Sequence, residues 1–470
     1  LKKDRKKVCR ICRKGIGLPL TLPTLKKRII SQHVVKKILV RSFKGSLYLV
    51  GGAIRELALR KTPKDFDFVL SEYDDLKILE KIFKAPSFLI GKKPIQTFRI
   101  IEKETSLDIT FLQNTIDEDL KRRDFTMNAI AYDFKRQEII DPLAGMKDIR
   151  KAIIRFPRKE AIHEDPLRML KAVRHYSTLR GFTLHKDLIK AIKELKHLIH
   201  NVAPERIKYE LDTMLLSRSA YKGLKMTDDT GLLEELFPEF TSLKQLDREK
   251  KLFPQTFRHT IEGFRYFDTQ RRLFLDERAL RNVAYALLFH DLGKANTYTF
   301  DDIKKVVHFF YHEGISCDKA GKIMERLKFS SYEIKSILAL ITHHMRIFLI
   351  SSDTSTEKAT RRLVYKVGDL IPSLVLLTVC DMYGSAEGRQ NSSTKRVWKR
   401  CREVLDAYDA WKEKPLPPLV NGYDLMSIGF KQGPSLGEIL EEIREKQLSG
   451  EIQKREEALT YAKEWLRHMS

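Results

Sequence analysis

The sequence predicts an α+β chain, a small mixed head followed by an elongated all-α neck and body. Three observations carry that expectation. Residues 47–70, LYLVGGAIRELALRKTPKDFDFVL, read as strand, Gly-Gly turn, helix and strand. Runs rich in β-branched and aromatic residues recur at 47–50, 67–70, 97–101, 107–111 and 129–134. From about residue 151 onward the apolar positions follow helical spacing, as at Leu167, Leu170 and Val173, or Leu188, Ile189 and Ile192. A chain of 470 residues has room for about three domains and a sizeable core.

Composition narrows the function class. Lys plus Arg exceed Asp plus Glu by 88 − 63 = 25, which favours a polyanionic partner. No apolar run is expected to reach transmembrane length, so nucleic acid rather than membrane is the anticipated polyanion. The basic N-terminus has no apolar stretch behind it, so no secretory leader is expected. Five cysteines, few and odd in number, fit a reducing cytoplasm. Residues 1–28 hold eleven Lys/Arg and one Asp. They read either as a basic arm that touches phosphates or as a solvated tail. Cys9 and Cys12 form a lone CxxC, and zinc needs four ligands.

The first strand–turn–helix unit sets up an anion site. Gly51 and Gly52 let the backbone approach a phosphate, and the following helix directs N–H groups at it. Arg55, one turn in, is placed to clamp a triphosphate. Asp65 and Asp67 alternate with Phe66 and Phe68, so both carboxylates share one face while the rings turn to the core. Asp108, on a later strand, is the natural third carboxylate. Three such ligands suit two Mg²⁺ ions, one activating a hydroxyl and one stabilising leaving pyrophosphate.

Two further segments add specificity. In RRDFTMNAIAYD (122–133), Asp124 and Asn128 share a face if the start is helical. Arg122 and Arg123 are then placed for phosphates and Asp124 for ribose hydroxyls. Taken alone, the segment reads as a capped helix with surface ion pairs. In EDPLRML (164–170), Asp165 before Pro166 reads as an N-cap, with Arg168 three residues on. The bland alternative is a cap plus a surface pair. Arg only donates and ionised Asp only accepts. A fixed pair of that kind matches the amino donor and ring-nitrogen acceptor of adenine or cytosine, and rejects guanine and uracil.

These residues resemble the bacterial class II tRNA nucleotidyltransferase and poly(A) polymerase family, of the polymerase-β-like superfamily. The matching motifs are LVGGAIRE (49–56), DFDFV (65–69), RRDFTMNAIAYD, EDPLRML and APERIKYEL (203–211). The resemblance implies that Asp65 and Asp67 bind metal and that Asp108 completes the carboxylates. It implies that Arg123 and Asp124 touch triphosphate and ribose, and that Asp165 and Arg168 read the base with Glu164 orienting them. It also implies that Arg206 supports the neck near the nucleotide or primer. Residues 419–424 and 433–440 also resemble the C-terminal region of bacterial CCA-adding enzymes. One departure is LIGKK (89–93). It echoes a poly(A) polymerase signature, but Pro94 stands where that signature has Phe.

The second half carries His259, then His290 and Asp291, then Asp381, in the order H…HD…D. This resembles the HD superfamily of helical metal-dependent phosphohydrolases. The ligand set suits Mn, Ni, Fe or Zn, and His312 with His343 or His344 would extend it toward a second ion. The expected domains are a basic arm (1–28), a nucleotidyltransferase head (29–150), a helical neck (151–250), an HD domain (251–390) and a helical tail (391–470).

The resemblance implies a cytoplasmic, template-independent enzyme adding C and/or A from CTP and ATP to the acceptor end of tRNA. CC-adding, A-adding and complete CCA-adding forms stay open, as does poly(A) polymerase. From a different class, an HD phosphohydrolase whose head only binds nucleotide stays open too. Oligomeric state is not expected to be legible.

Overall fold

A computed structural model describes residues 20–90, 96–158, 160–250, 256–270, 275–352, 355–385 and 391–469. Cys9, Cys12, most of the basic arm and the Lys92–Lys93–Pro94 departure lie outside them. The chain divides into two compact units, Leu1–Leu236 and Phe237–Ser470. The boundary expected at 150/151 falls inside the helix Gly145–Lys151. The one expected at 250/251 follows the helix Phe240–Lys250, which already belongs to the second unit.

In the first unit, α1 (Leu22–Ser31) takes up the end of the expected arm. It buries Leu25 and Ile29, so residues 22–28 are a packed helix. A seven-stranded sheet follows: β1 (Leu47–Val50), β2 (Asp65–Leu70), β3 (Phe88–Ile90), β4 (Thr97–Glu102), β5 (Thr105–Phe111), β6 (Ala131–Asp133) and β7 (Glu138–Ile140). Its order is β3-β4-β5-β2-β1-β6-β7. β2 and β5 are parallel, and every other neighbouring pair is antiparallel. β1 lies between β2 and β6 and all four of its residues are buried, which accounts for its continuous apolar run LYLV. β3 and β7 were not anticipated. Each is three residues long and at a sheet edge, and Phe88 and Leu89 stay exposed.

Register places the acidic residues. Asp65 pairs with Ser106, Asp67 with Asp108, and Phe66 and Phe68 with Leu107 and Ile109. The side-chain period of two then puts Asp65, Asp67 and Asp108 on one face. The aromatic and aliphatic residues between them are buried on the other. A slip of one residue would bury the carboxylates. Between β1 and β2 runs α2 (Gly52–Ala58). Further on, α3 (Leu167–Thr178) packs on α4 (Pro204–Leu215). A two-stranded parallel pair, Ile153–Ile154 with Thr183–Leu184, interrupts the expected all-helical stretch.

Among its described residues, the regular structure of the second unit is helical apart from one hairpin, Tyr298–Asp301 with Val306–Phe309. Its centre is built by α5 (Thr256–Gln270), α6 (Glu277–Phe289), α7 (His312–Arg326), α8 (Ser331–His343) and α9 (Ile371–Ser385). Thirteen of the fifteen residues of α9 are buried, and α9 packs on α5 and α6. The stretch Glu357–Ser385 is long and apolar enough to cross a membrane by length and composition. This corrects the expectation that no run is. The reason is that α9 is surrounded by other helices, and a helix buried on all sides is apolar all round.

Candidate functional site

Three strands and one turn converge on the acidic face of the first unit. Gly51 has φ +76, a conformation that costs a Cβ-bearing residue. A Cβ there would stand 2.8 Å from Asp67 Oδ2 and 3.0 Å from Arg123 Nη1. Glycine is therefore what lets the backbone touch both groups. Burial pushes the Asp67 carboxyl above its usual value. Asp108, Asp65 and Asp124 add to the shift and Arg123 opposes it. Asp65 accepts from Ser106 Oγ at 2.6 Å.

Asp108 has the expected register but also a partner that sequence reasoning missed. Arg99, directly opposite on β4, donates from Nε and Nη2 to its two oxygens at 2.6 and 2.7 Å. Among the described residues, the His and carboxylate groups gathered closely enough to share an ion all lie in the second unit, and none includes Asp65, Asp67 or Asp108. An ion shared with Asp65 and Asp67 would compete with Arg99 for the Asp108 oxygens.

The RRDFTMN segment is not helical at its start. It leaves the short helix Ile116–Lys121 and closes in a 3₁₀ turn over Thr126–Asn128. Asp124 and Asn128 still meet, with Asn128 Nδ2 donating to Asp124 Oδ1 at 2.8 Å. Arg55 is turned inward. It is buried, and its Nη1 donates to Asn128 Oδ1 at 2.5 Å. That geometry makes it a brace for the Asn128–Asp124 pair rather than an open triphosphate clamp. Arg123 is steadied by Asp119, with Nη2 at 3.0 Å from its carboxylate.

Asp165 closes the short helix Ala161–Glu164 in extended conformation. α3 begins at Leu167 with Pro166 before it, and Asp165 Oδ1 accepts from Leu167 N–H at 3.3 Å. Asp165 is therefore not the N-cap that was expected: Pro166 holds that position, and Asp165 caps the preceding helix from its C-terminal side. Arg206 Nη2 donates to its Oδ2 at 2.9 Å. Arg168 donates to the carbonyls of Ala161 and Arg122, at 3.2 and 2.7 Å, and to Glu164 at 3.4 Å. Glu164 pairs with both Arg158 and Arg168. Of five guanidinium donors, those three bonds leave two, and Asp165 keeps further lone pairs.

A second cluster lies in the other unit. His259 (α5), His290 and Asp291 (after α6) and Asp381 (α9) are brought together as the motif order implied. His259 Nε2 stands 2.7 Å from Asp291 Oδ2 and 3.4 Å from Asp381 Oδ1. His290 Nε2 stands 3.2 and 3.5 Å from the same two atoms. Burial disfavours the charged form of His290, but Asp291 and Asp381 outweigh it and lift its pKa to about 10. Burial also works against ionised Asp291 and Asp381, yet His290 and its neighbours hold both well below the usual carboxylate range. His312 and His344 join the cluster. Burial, then the charge of His290, lowers the His344 pKa to about 3. His343 does not join; it lines a separate surface pocket with Arg346 and Lys366. Lys294, whose Nζ is 2.7 Å from Asp291 Oδ2, was also missed. Its signal was its place three residues after Asp291.

Comparison with known proteins gives three family matches along the chain. Residues 47–155 match the poly A polymerase head domain. Residues 181–244 match a probable RNA and SrmB-binding site of polymerase A, and residues 300–462 a putative tRNA nucleotidyltransferase domain 2. The A-adding tRNA nucleotidyltransferase of Deinococcus radiodurans is 28% identical, over 89% of this chain and 95% of that one. The CCA-adding enzyme of Lactobacillus johnsonii is 30% identical, over 88% of this chain and 92% of that one. Among solved structures, the Thermotoga maritima CCA-adding enzyme complexed with tRNA has a TM-score of 0.58 at 18% identity. It covers 96% of this chain and 100% of its own.

Proposed function

This chain belongs to the class II tRNA nucleotidyltransferase family, and we propose that it adds C, A or both from CTP and ATP to the 3′ end of tRNA. The observation that carries this reading is the shared face of Asp65, Asp67 and Asp108 beside Gly51, with Arg123 reaching the same turn. A divalent cation would fit there, because burial and the neighbouring carboxylates Asp108, Asp65 and Asp124 raise the Asp67 carboxyl, and a bound cation would offset that repulsion. When bound, an ion such as Mg²⁺ supplies neutralising charge at the α-phosphate and makes the attacking hydroxyl more acidic.

The chain's own residues do the rest. Asp65 and Asp67 would hold the ion, with Asp108 joining when Arg99 lets go. Arg123, kept in place by Asp119, would meet the triphosphate. Asp124, oriented through Asn128 and Arg55, would accept from a ribose hydroxyl. The two remaining Arg168 donors and the free lone pairs of Asp165 would read the base edge of A or C. The terminal 3′-oxygen attacks the α-phosphate, the bond to the β-phosphate breaks, and pyrophosphate leaves. Excess Lys and Arg would grip the tRNA backbone, so binding should weaken steeply with salt.

A second reading is favoured by the buried His/Asp cluster: the helical unit would be a metal-dependent phosphohydrolase. The first test is incorporation of each single labelled nucleotide into tRNAs ending at the discriminator base, at CC and at CCA. Addition of C, C and A followed by a stop supports a complete enzyme. A only onto CC, or C alone, identifies a divided one. Long A tails on any RNA point to poly(A) polymerase. No incorporation overturns the reading. Replacing Asp65 and Asp67 by Ala should abolish incorporation and spare any phosphatase activity.

A further inference from the structure

We infer that Arg158 is a positioning residue for nucleotide selection: it restrains Glu164, so that the Arg168 guanidinium stays free to read a base. The inference rests on reading Asp165 and Arg168 as the base-reading pair of a nucleotidyltransferase, and its test separates the two.

Arg168 has few donors to spare. Its Nη1 donates to the Ala161 carbonyl at 3.2 Å and to Glu164 Oε2 at 3.4 Å, and its Nη2 to the Arg122 carbonyl at 2.7 Å. A guanidinium carries one N–H on Nε and two on each Nη, so Nε–H and one Nη2–H remain for a ligand. Glu164 stands four residues before Arg168 and in contact with it. A carboxylate in that place, left to itself, forks onto two N–H groups at once. Here it does not. Its contact with Arg168 runs through Oε2 and is longer than an ordinary hydrogen bond. Oε1 is turned instead to Nη2 of Arg158. A carboxylate divided between two guanidinium groups cannot chelate either one.

Arg158 is itself aimed by its neighbours. Phe156 stacks on Phe125 with ring centres 5.6 Å apart, and the Arg155 carbonyl accepts from Thr126 N–H at 3.1 Å. Phe125 directly follows Asp124, the residue assigned to the ribose. Pro157 fixes the backbone torsion between the stacked ring and Arg158. The Arg158 carbonyl accepts from Ala161 N–H at 3.4 Å, at the start of the short helix that ends in Glu164. Arg158 thus links the turn that would hold ribose to the carboxylate beside the base reader. Its side chain is 34% exposed and that of Glu164 39%. A pair so open to solvent adds little to fold stability, so what it supplies is direction. Without Arg158, Oε1 is released and Glu164 can turn both oxygens onto Arg168, taking up the donors that adenine or cytosine needs. Uracil, which does not use those donors, loses nothing.

The test uses the full chain and whichever of CTP and ATP it incorporates, with UTP as competitor. Arg158→Met should raise KM for the accepted nucleotide about tenfold, the worth of a hydrogen bond to a charged group. It should leave kcat and the thermal melt nearly unchanged, because the lost contact belongs to binding. The preference over UTP should fall by the same factor. Arg158→Lys keeps a cation on Oε1 and should recover part of the loss. In a Glu164→Ala background, Arg158→Met should add no further loss, since no carboxylate is left to capture Arg168. If Arg158→Met folds poorly, the preference over UTP still decides, because a ratio within one sample does not depend on the folded fraction. An unchanged KM and preference, a loss confined to kcat, or a further loss in the Glu164→Ala background would each overturn the role of Arg158 while leaving the nucleotidyltransferase reading intact. No incorporation by the unaltered chain would overturn both.

Discussion

Replacing Gly51 by alanine should slow chemistry far more than it loosens the fold. At φ +76, a Cβ-bearing residue pays about 1–2 kcal/mol in backbone strain. The new methyl would start 2.8 Å from Asp67 Oδ2 and 3.0 Å from Arg123 Nη1. Ordinary contact lies near 3.5 Å, so one group must retreat by roughly half an ångström or more. Misplacing a reacting group by about 1 Å costs on the order of 10²-fold in rate. The same strain should lower the melting temperature of a unit of this size by about 2–8 °C. Single-turnover incorporation at saturating nucleotide, read beside a thermal melt, separates the two effects. Gly45→Ala is the control. Its Cβ would meet Ser71 Oγ at 2.2 Å and Glu72 Cγ at 2.5 Å, past the far end of β2 and about 13 Å along the chain from Asp67. It should destabilise without touching the rate. The reasoning is refuted if Gly51→Ala keeps its rate, or if Gly45→Ala loses as much.

Three further outcomes follow from the same face. The Asp67 carboxyl, raised first by burial and then by neighbouring carboxylates, gives up its charge early as pH falls. The acid limb of incorporation should therefore lie above 3.8 and move down as Mg²⁺ is increased, since ion and proton compete for the same oxygens. In the folded protein the raised value favours the proton, so stability from this group falls as pH rises through it. Asp67→Asn should accordingly melt higher at neutral pH while being inactive, and a lower melting temperature would contradict that sign. Arg99→Met frees both oxygens of Asp108. For a half-exposed bidentate pair worth about 1 kcal/mol, the Mg²⁺ concentration for half-maximal rate should fall about fivefold. An unchanged Mg²⁺ requirement would mean that guanidinium and ion do not compete.

What the sequence determined by itself was local. The DFDFV alternation put Asp65 and Asp67 opposite Phe66 and Phe68 because strand geometry has a period of two, whatever surrounds it. The Gly51 turn and the long helical periodicities were legible because they too are local, and the H…HD…D order was legible only through its resemblance to a known superfamily. Edge strands β3 and β7 were not, because three residues carry too little periodic signal. The 298–309 hairpin was hidden inside a helical stretch. Tertiary structure decided which partner each charged group keeps. It set Arg99 on Asp108 by strand register, and turned Arg55 inward to Asn128. It chose His344 over its neighbour His343 by where α8 ends, and aimed Asp291 Oδ1 at two histidines from separate helices. Those choices depend on distances between residues far apart in the chain. Spacing along a sequence fixes the face on which a side chain stands; only packing fixes what stands across from it.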